Sequence, residues 1–159
     1  RISAVRVVDY DKADRFERLI RPERLLSPEI EKLTGISNES LAECPSIKNV
    51  LEEFLNWHKH DLLTVYDREF DISFLEKACK RCGINLDRPN LDVLCVVNKL
   101  YPNIVRCKSG VAFNALKLSA NSEEYVDMIA EIWIACLHRL KMLGVRATWG
   151  IDDVDIYRF

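Results

Sequence analysis

The sequence of 159 residues has little glycine and little proline, five residues of each, which excludes a collagen-like or low-complexity chain. It has no long hydrophobic run: the longest, Ile132–Leu137, is far shorter than the roughly 18 residues that a membrane-spanning helix needs. Neither charge dominates, because 23 lysines and arginines are balanced by 25 aspartates and glutamates. This balance excludes a general basic coat for binding nucleic acid, although it is compatible with a local basic patch.

Features of secreted proteins are also missing. No basic and apolar leader opens the chain, which starts at Arg1 inside a strand-like pattern, and we therefore expect a cytoplasmic protein. In such a chain we expect the six cysteines to be reduced thiols rather than a disulfide framework. Only Cys79 and Cys82 have the spacing of metal ligands, and no second pair completes the four ligands of a structural zinc site. We expect these two thiols to be packed rather than metal-bound.

The pattern of apolar residues predicts one α/β domain with a mixed sheet over residues 1–145, followed by a tail at residues 146–159. Two strands are predicted first, one at Ile2–Val8 and one through Phe16–Ile20, and a loop is predicted around Arg106–Gly110. The rest of the chain is expected to form a strand at Leu62–Tyr66 and helices that start near Pro28, Ser46, Asp71, Asp92 and Glu124.

Four stretches of the sequence carry a resemblance to a known family. Ile2–Val7 looks like its second strand, Arg21–Ser37 contains its Leu-Thr-Gly-Ile-Ser segment, and Leu91–Pro102 looks like the helix after its second motif. That motif, usually His-Asn-x-x-Phe-Asp-x-x-x-Leu, corresponds to Val65–Leu75, with Phe-Asp-Ile-Ser-Phe-Leu. In this order and spacing, the stretches resemble the DnaQ-like (DEDDh-type) 3′–5′ exonucleases, which include the proofreading domains of bacterial DNA polymerase III and RNase T. The resemblance implies an RNase H-like fold.

The resemblance also implies a chemistry. In this family two divalent cations, magnesium or manganese, flank the scissile phosphate, where one activates water and the other stabilises the leaving oxygen. Such hard cations prefer carboxylate oxygens, and the family supplies an Asp and a Glu on the first strand, an Asp in the second motif and an Asp in the third. A histidine near the last Asp acts as general base toward the attacking water.

Asp71 matches the carboxylate of the second motif, which makes it a candidate metal ligand. The alternative is a purely structural role, because an aspartate at a helix start often caps backbone amides. The first family strand, with its Asp-x-Glu, would lie ahead of Arg1. Tyr66 and Asp67 stand where His-Asn is usual, and Asp67 brings negative charge toward a substrate phosphate. The resemblance assigns contacts with nucleic acid to Tyr66 and Phe70.

The third motif, His-x-Ala-x-x-Asp-Ala in the family, can be matched in two registers. In one, Asp127 is the metal ligand and Ser122 takes the place of the histidine. In the other, which keeps the last helix intact, Tyr125 replaces the Asp and Ala120 the histidine. Neither register contains a histidine, and His138 lies too far from Asp127, about 16 Å along a helix, to substitute.

These departures lead to a first hypothesis: a DnaQ-like exonuclease domain with weak or no activity, retained as a structural or interaction module. The alternative is an active metal-dependent 3′–5′ exonuclease on single-stranded DNA or RNA ends, whose first carboxylates lie upstream of residue 1. A third possibility is a module that holds a 3′ end without cutting it. Expected partners are single-stranded 3′ ends or a polymerase or other protein, and no membrane. A basic patch for nucleic acid would consist of Lys99, Arg106, Lys108 and Lys117.

Overall fold

The computed structural model describes residues 1–59, 61–87, 89–104, 108–119 and 124–145. Within these ranges the chain forms four strands and seven helices, and no helix is long and apolar enough to cross a membrane. The predicted α/β class is therefore confirmed, whereas the predicted tail at residues 146–159 lies outside the described ranges. The elements are β1 (Ile2–Val8), β2 (Asp11–Arg18), α1 (Pro28–Thr34), α2 (Asn38–Ala42), α3 (Ile47–His58), β3 (Leu63–Val65), α4 (Arg68–Arg81), β4 (Asn90–Asp92), α5 (Val93–Leu100), α6 (Ser109–Ala115) and α7 (Tyr125–Met142).

The described strands pair into two separate sheets of two strands each. β1 and β2 are antiparallel, with Ile2 opposite Arg18 and Val8 opposite Asp11. β3 and β4 are parallel, with Leu63 opposite Asn90. Both pairing types of the predicted mixed sheet are thus present, but they do not share one ladder in the described part of the chain.

The turn between β1 and β2 consists of Asp9 and Tyr10, which both have positive φ angles, 50° and 70°. This is the signature of a two-residue hairpin loop whose twist matches that of the strands. A tyrosine in this conformation is unusual, and its ring is held by neighbours on α7. The ring stacks on His138 at 4.8 Å between centroids, and Lys141 Nζ lies 4.8 Å from the ring centroid. The hairpin tip is therefore anchored to α7.

Side-chain caps explain where several helices begin. Ser46 accepts a hydrogen bond from the Asn49 amide at the start of α3, and Asp92 accepts one from the Cys95 amide at the start of α5. These helices confirm the predicted starts, because a hydroxyl or carboxylate satisfies amides that lack a partner in the first turn. The Pro28 start is confirmed as well, and Gly35 ends α1 with a φ of 68°.

Two predicted boundaries were wrong, and three short elements were not predicted. α4 begins at Arg68 rather than at Asp71, because Asp67 caps it one turn earlier. The second strand is Asp11–Arg18, since the tight turn fixes its pairing with β1 and ends it before Ile20. The elements that were not predicted are α2, β4 and α6, and α6 starts inside the predicted loop.

Two groups of buried side chains form the core. The larger one joins α5, α6 and α7 to β1 and β4, and the smaller one joins α3 to the β1–β2 hairpin. The five cysteines in the described ranges are free thiols, and Cys136 of α7 is fully buried. Burial raises the pKa of the Cys136 thiol to about 12. The larger group includes Leu91, Val93, Val97, Ala112, Ile132, Trp133 and Cys136.

An ion-pair cluster joins β2 to α7. Asp127 is 4% exposed, and its carboxylate accepts a hydrogen bond from the Arg15 guanidinium and pairs with Lys12 Nζ at 3.6 Å. Lys12 Nζ also lies 2.8 Å from Glu131, and Arg15 Nη1 lies 2.5 Å from Glu124. Because both strand cations meet the buried carboxylate, this cluster holds the second strand against the last helix.

We predict that Asp127→Ala lowers the free energy of unfolding by about 1.5–3 kcal/mol, because charged hydrogen bonds are lost and two cations lose their buried partner. Urea denaturation measures the change. Glu53→Ala is the matched control, since it removes an exposed pair with Arg18 and is expected to cost about 0–1 kcal/mol. Equal losses in the two variants would contradict a special role for Asp127.

A second prediction concerns alkaline pH. The pKa of Cys136 is higher in the folded chain, about 12, than in the unfolded chain, about 8.5. Above pH 8.5 the unfolded state therefore loses a proton that the folded state keeps, and stability falls as pH rises toward 12. We expect the stability advantage of wild type over Cys136→Ala to shrink between pH 8 and pH 10.5 in urea denaturation. An advantage that stays constant over this range would show that the thiol is not desolvated.

Candidate active site

Three aspartates lie where the parallel strands β3 and β4 give way to helices. Asp67 caps α4, Asp71 lies in the first turn of α4, and Asp92 ends β4 and caps α5. Asp67 accepts from the Phe70 amide at 3.1 Å, and Asp92 accepts from the Cys95 amide at 2.9 Å. Two of the three carboxylates are therefore already engaged in holding helix ends.

Asp71 is half-buried, and burial is the main reason that its pKa is raised above the usual range. The charges of Asp67 and Asp92 raise the pKa of Asp71 further, whereas hydrogen bonds from the Asp67 and Tyr66 backbone act in the opposite direction. The Asp67 amide donates to Asp71 Oδ2 at 3.4 Å. Such surroundings favour the protonated form of the carboxyl group, and a cation beside it would favour the ionised form.

Tyr125, the first residue of α7, lies within electrostatic range of this group. Burial raises the pKa of its phenol, and the charges of Asp71 and Asp67 raise it further, against a lowering hydrogen bond with Ser109. On α7, the charge of Asp71 thus acts on a tyrosine. This placement favours the register in which Tyr125 occupies the position of the third-motif Asp.

Asp127, the other predicted metal ligand, has different neighbours. Its two carboxylate oxygens contact Arg15 and Lys12 of β2. A metal ion at Asp127 would have to displace both cations. Its assignment as a metal ligand stays a prediction.

The two residues predicted to contact nucleic acid differ in exposure. Tyr66 is 4% exposed and belongs to the larger core group, so its side chain offers almost no surface to a ligand. Phe70 is 62% exposed and contacts the equally exposed ring of Phe74 at 4.9 Å between centroids. Lys77 Nζ lies 5.8 Å from the Phe74 ring centroid.

Several predicted residues lie outside the described ranges, namely Ala120, Ser122 and Arg106. Of the predicted basic patch, Lys108 precedes α6 and Lys117 follows its end, while Lys99 lies on α5. Within the described ranges, no three His, Cys, Asp or Glu side chains are arranged to hold a metal ion together. The described donors therefore do not fit a two-cation centre.

The sequence did not reveal a large cleft between the two sheets, about 1370 Å³ in volume. It is lined by β1, by β3 and by the helices α3, α4 and α7, and Asp71 lies on its wall. One indication of this cleft was present in the sequence, because β1 is rich in apolar residues. In the structure, Ile2–Val7 are only half-buried. The candidate site and the cleft are thus adjacent.

Comparison with known proteins identifies the family. The family model described as Exonuclease (RNase_T) matches residues 1–122. The chain is 30% identical over 161 residues to the PolC-type DNA polymerase III of Caldanaerobacter subterraneus subsp. tengcongensis, and 33% identical over 159 residues to that of Bacillus subtilis. These alignments cover 99% and 97% of the chain but only 12% and 11% of the polymerases. The chain thus spans about one-eighth of the length of these curated relatives.

Two solved structures share the fold. Exonuclease X in complex with 5′ overhanging duplex DNA has a TM-score of 0.65 and 17% identity, covering 90% of this chain and 82% of that one. The nuclease domain of 3′hExo, a DEDDh family member bound to rAMP, has a TM-score of 0.67 and 16% identity, covering 85% and 75%. The expected RNase H-like fold is confirmed. The chain belongs to the DnaQ-like 3′–5′ exonuclease family.

Proposed function

We propose that this chain is an exonuclease-fold domain with weak or no hydrolytic activity of its own, which serves as a structural or interaction module. The observation that carries this proposal is the chemical environment of Asp71. At the start of α7, the phenol of Tyr125 lies within electrostatic range of this carboxyl group, and the next acidic residue of α7 is paired with cations of β2. In the register that we prefer, the site therefore lacks the carboxylate on α7 that the family uses.

A tyrosine is a poor replacement for that carboxylate. The raised pKa of Tyr125 keeps its phenol neutral near pH 7, whereas magnesium and manganese prefer anionic oxygen ligands. Asp67 and Asp92 are committed to capping α4 and α5. When bound in this family, the two cations would supply the charge stabilisation of phosphodiester hydrolysis. In the described part of this chain, the donors for such a pair are not gathered.

The general base is a second difference. His138 stacks on Tyr10 and lies thirteen residues after Tyr125 on the same helix, which corresponds to about 20 Å. His58 is 3% exposed within α3. His138 is therefore too far along α7 to take a proton from water near Tyr125, whereas His58 borders the cleft on whose wall Asp71 lies. Loss of a general base alone slows hydrolysis by about 10²–10⁴-fold.

The curated relatives indicate the class of partner. Because they are PolC-type polymerases, we propose a cytoplasmic setting in which the domain contacts a polymerase or another protein of DNA metabolism. Binding of a single-stranded 3′ end without cleavage is the related possibility, and the exposed rings of Phe70 and Phe74 would provide stacking surface for bases. Asp67 and Asp71 oppose it, since they repel phosphate.

A second candidate function is an active 3′–5′ exonuclease on single-stranded DNA or RNA ends, with magnesium or manganese as cofactor. The observation that favours it is the cleft beside Asp71. A strand upstream of residue 1 that entered this cleft with two carboxylates would bring them near Asp71. Even then, other groups would have to replace the third-motif aspartate, where Tyr125 stands, and the general-base histidine.

The first test is a titration with Mg²⁺ or Mn²⁺ in the presence of end-labelled single-stranded DNA or RNA. We expect no 3′ trimming above background at millimolar metal, because the described donors cannot hold a cation pair. Asp71→Ala and Asp127→Ala serve as controls for contaminating nuclease. Robust trimming that Asp71→Ala abolishes would overturn the inactive assignment and favour the second candidate.

The stability of Asp71→Asn provides an independent prediction. Burial and neighbouring aspartates raise the pKa of Asp71 in the folded chain, so ionisation of this carboxyl above its unfolded pKa of about 3.9 destabilises the fold. We expect Asp71→Asn to unfold at a higher urea concentration at pH 7, with a gain of about 0.5 kcal/mol because solvent screens a half-exposed group. At pH 3 the gain should vanish. A loss of stability at pH 7, together with stabilisation of wild type by Mg²⁺, would indicate a metal ligand in use.

A further inference from the structure

We propose that the C-terminal half of α4 and the turn at residues 21–24 form a binding site for the backbone of single-stranded nucleic acid. The inference deepens the proposed function, because it rests on the 3′-end binding considered there and names the course of the strand away from Asp71. The helical part lies about two to three turns after that aspartate. We call this site the basic end of α4; it consists of Arg21, Arg24, Lys77, Lys80 and Arg81.

Two segments that are distant in the sequence meet at this end of α4. The Arg81 guanidinium pairs with the Glu23 carboxylate, and the Arg21 amide donates to the Pro45 carbonyl at 2.9 Å. These contacts hold the turn beside the end of the helix. Arg21 and Arg24, which flank Glu23 in the sequence, are therefore brought to the cations of α4.

Positive charge is concentrated here in a chain whose overall charge is slightly negative. The whole chain has 23 lysines and arginines against 25 aspartates and glutamates. Residues 21–24 and 76–81 contain five cations and only two anions, Glu23 and Glu76, and all seven residues are exposed. The helix macrodipole favours cations in the last turn of α4, but it does not explain Lys77 or the arginines of the turn. A local excess of exposed cations attracts a polyanion.

The cations continue a row of exposed side chains along α4. Phe70 contacts Phe74 at 4.9 Å between ring centroids, and Lys77 Nζ lies 5.8 Å from the Phe74 centroid. Residues three or four positions apart are neighbours on a helix surface, so Arg81 follows Lys77 in the same row. From Phe70 to Arg81 the row is about 16 Å long. At about 3.4 Å per stacked nucleotide, this length corresponds to about five nucleotides.

The order of these side chains favours nucleic acid over an acidic protein segment. Exposed rings offer stacking surface to bases of any sequence, and the cations next to them neutralise phosphates. The arrangement also indicates the direction of the strand, because a 3′ end carries a hydroxyl group instead of a phosphate. With the 3′ end beside Asp67 and Asp71, the least negative part of the strand faces the carboxylates and its phosphates face the cations.

The ion pair with Glu23 leaves Arg81 able to bind a phosphate. The two side chains are 65% and 71% exposed. Such exposed pairs contribute little to stability, because water and salt screen them. A phosphate that replaced Glu23 at the guanidinium would leave the glutamate in water, so the exchange would bury no unpaired charge.

The first test measures binding of a fluorescent twelve-nucleotide oligothymidylate to the 159-residue chain by anisotropy, with EDTA present to prevent cleavage. Lys77→Ala/Lys80→Ala should raise Kd at least about tenfold at 50 mM salt. It should also reduce the slope of log K against log salt by about 1.4, because each phosphate contact of a single strand contributes about 0.7.

The matched control is Lys48→Ala/Lys108→Ala, which removes the same charge from exposed positions on α3 and ahead of α6. We expect Kd and the slope to stay as in wild type. Equal losses in the two double variants, or no binding by wild type, would overturn the proposal. Neither result would bear on the assignment of weak or absent hydrolysis, which the trimming assay with metal tests separately.

A second measurement tests the direction of the strand and the kind of occupant. A nitroxide at the 5′ end of a six-nucleotide oligothymidylate should broaden the NMR signals of the Lys80 and Arg81 amides, whereas a nitroxide at the 3′ end should broaden those of Asp71 and Ile72. A twelve-residue glutamate peptide should not displace the oligonucleotide at the same concentration, because it brings no bases to the rings. Broadening in the reverse order, or displacement by the peptide, would overturn the proposal.

Discussion

The architecture depends on one buried carboxylate. Asp127 of α7 is almost fully buried and is neutralised by Arg15 and Lys12 from β2. A buried charge is tolerated only where opposite charges and hydrogen bonds compensate it, so the strand and the helix must keep this relative position. With α7 fixed, Tyr125 lies within electrostatic range of Asp71, and α7 forms one wall of the cleft between the two sheets. Both distinctive features of the site follow from this cluster.

Under the proposed function, the same cluster keeps the family fold while the chemistry of the site is weakened. A carboxylate that binds a catalytic cation needs oxygens that are free to coordinate it, whereas both carboxylate oxygens of Asp127 contact Arg15 or Lys12. The Asp67 side chain caps the first turn of α4 by accepting a hydrogen bond from the Phe70 amide. Both acidic side chains thus stabilise the fold.

Local signals in the sequence were sufficient for much of the fold. The Ser46 cap and the apolar stripe of α3 were predicted because they depend on residues a few positions apart. The second motif placed Asp71 at the start of α4 for the same reason, with an error of one turn caused by the Asp67 cap. β4 was missed because a three-residue strand exists only through its pairing with β3. The ion-pair partners of Asp127 could not be predicted either, because Arg15 is 112 positions away in the sequence. The cleft between the two sheets depends on how distant elements pack, which no local pattern records.

The most direct measurement of the central claim is a count of bound Mn²⁺ by electron paramagnetic resonance, titrated against the 159-residue chain at pH 7.5. Our account predicts that manganese stays free up to millimolar concentration, because one half-buried aspartate beside a neutral phenol does not make a site. Two manganese ions bound per chain, spin-coupled to each other and released in Asp71→Ala, would contradict it.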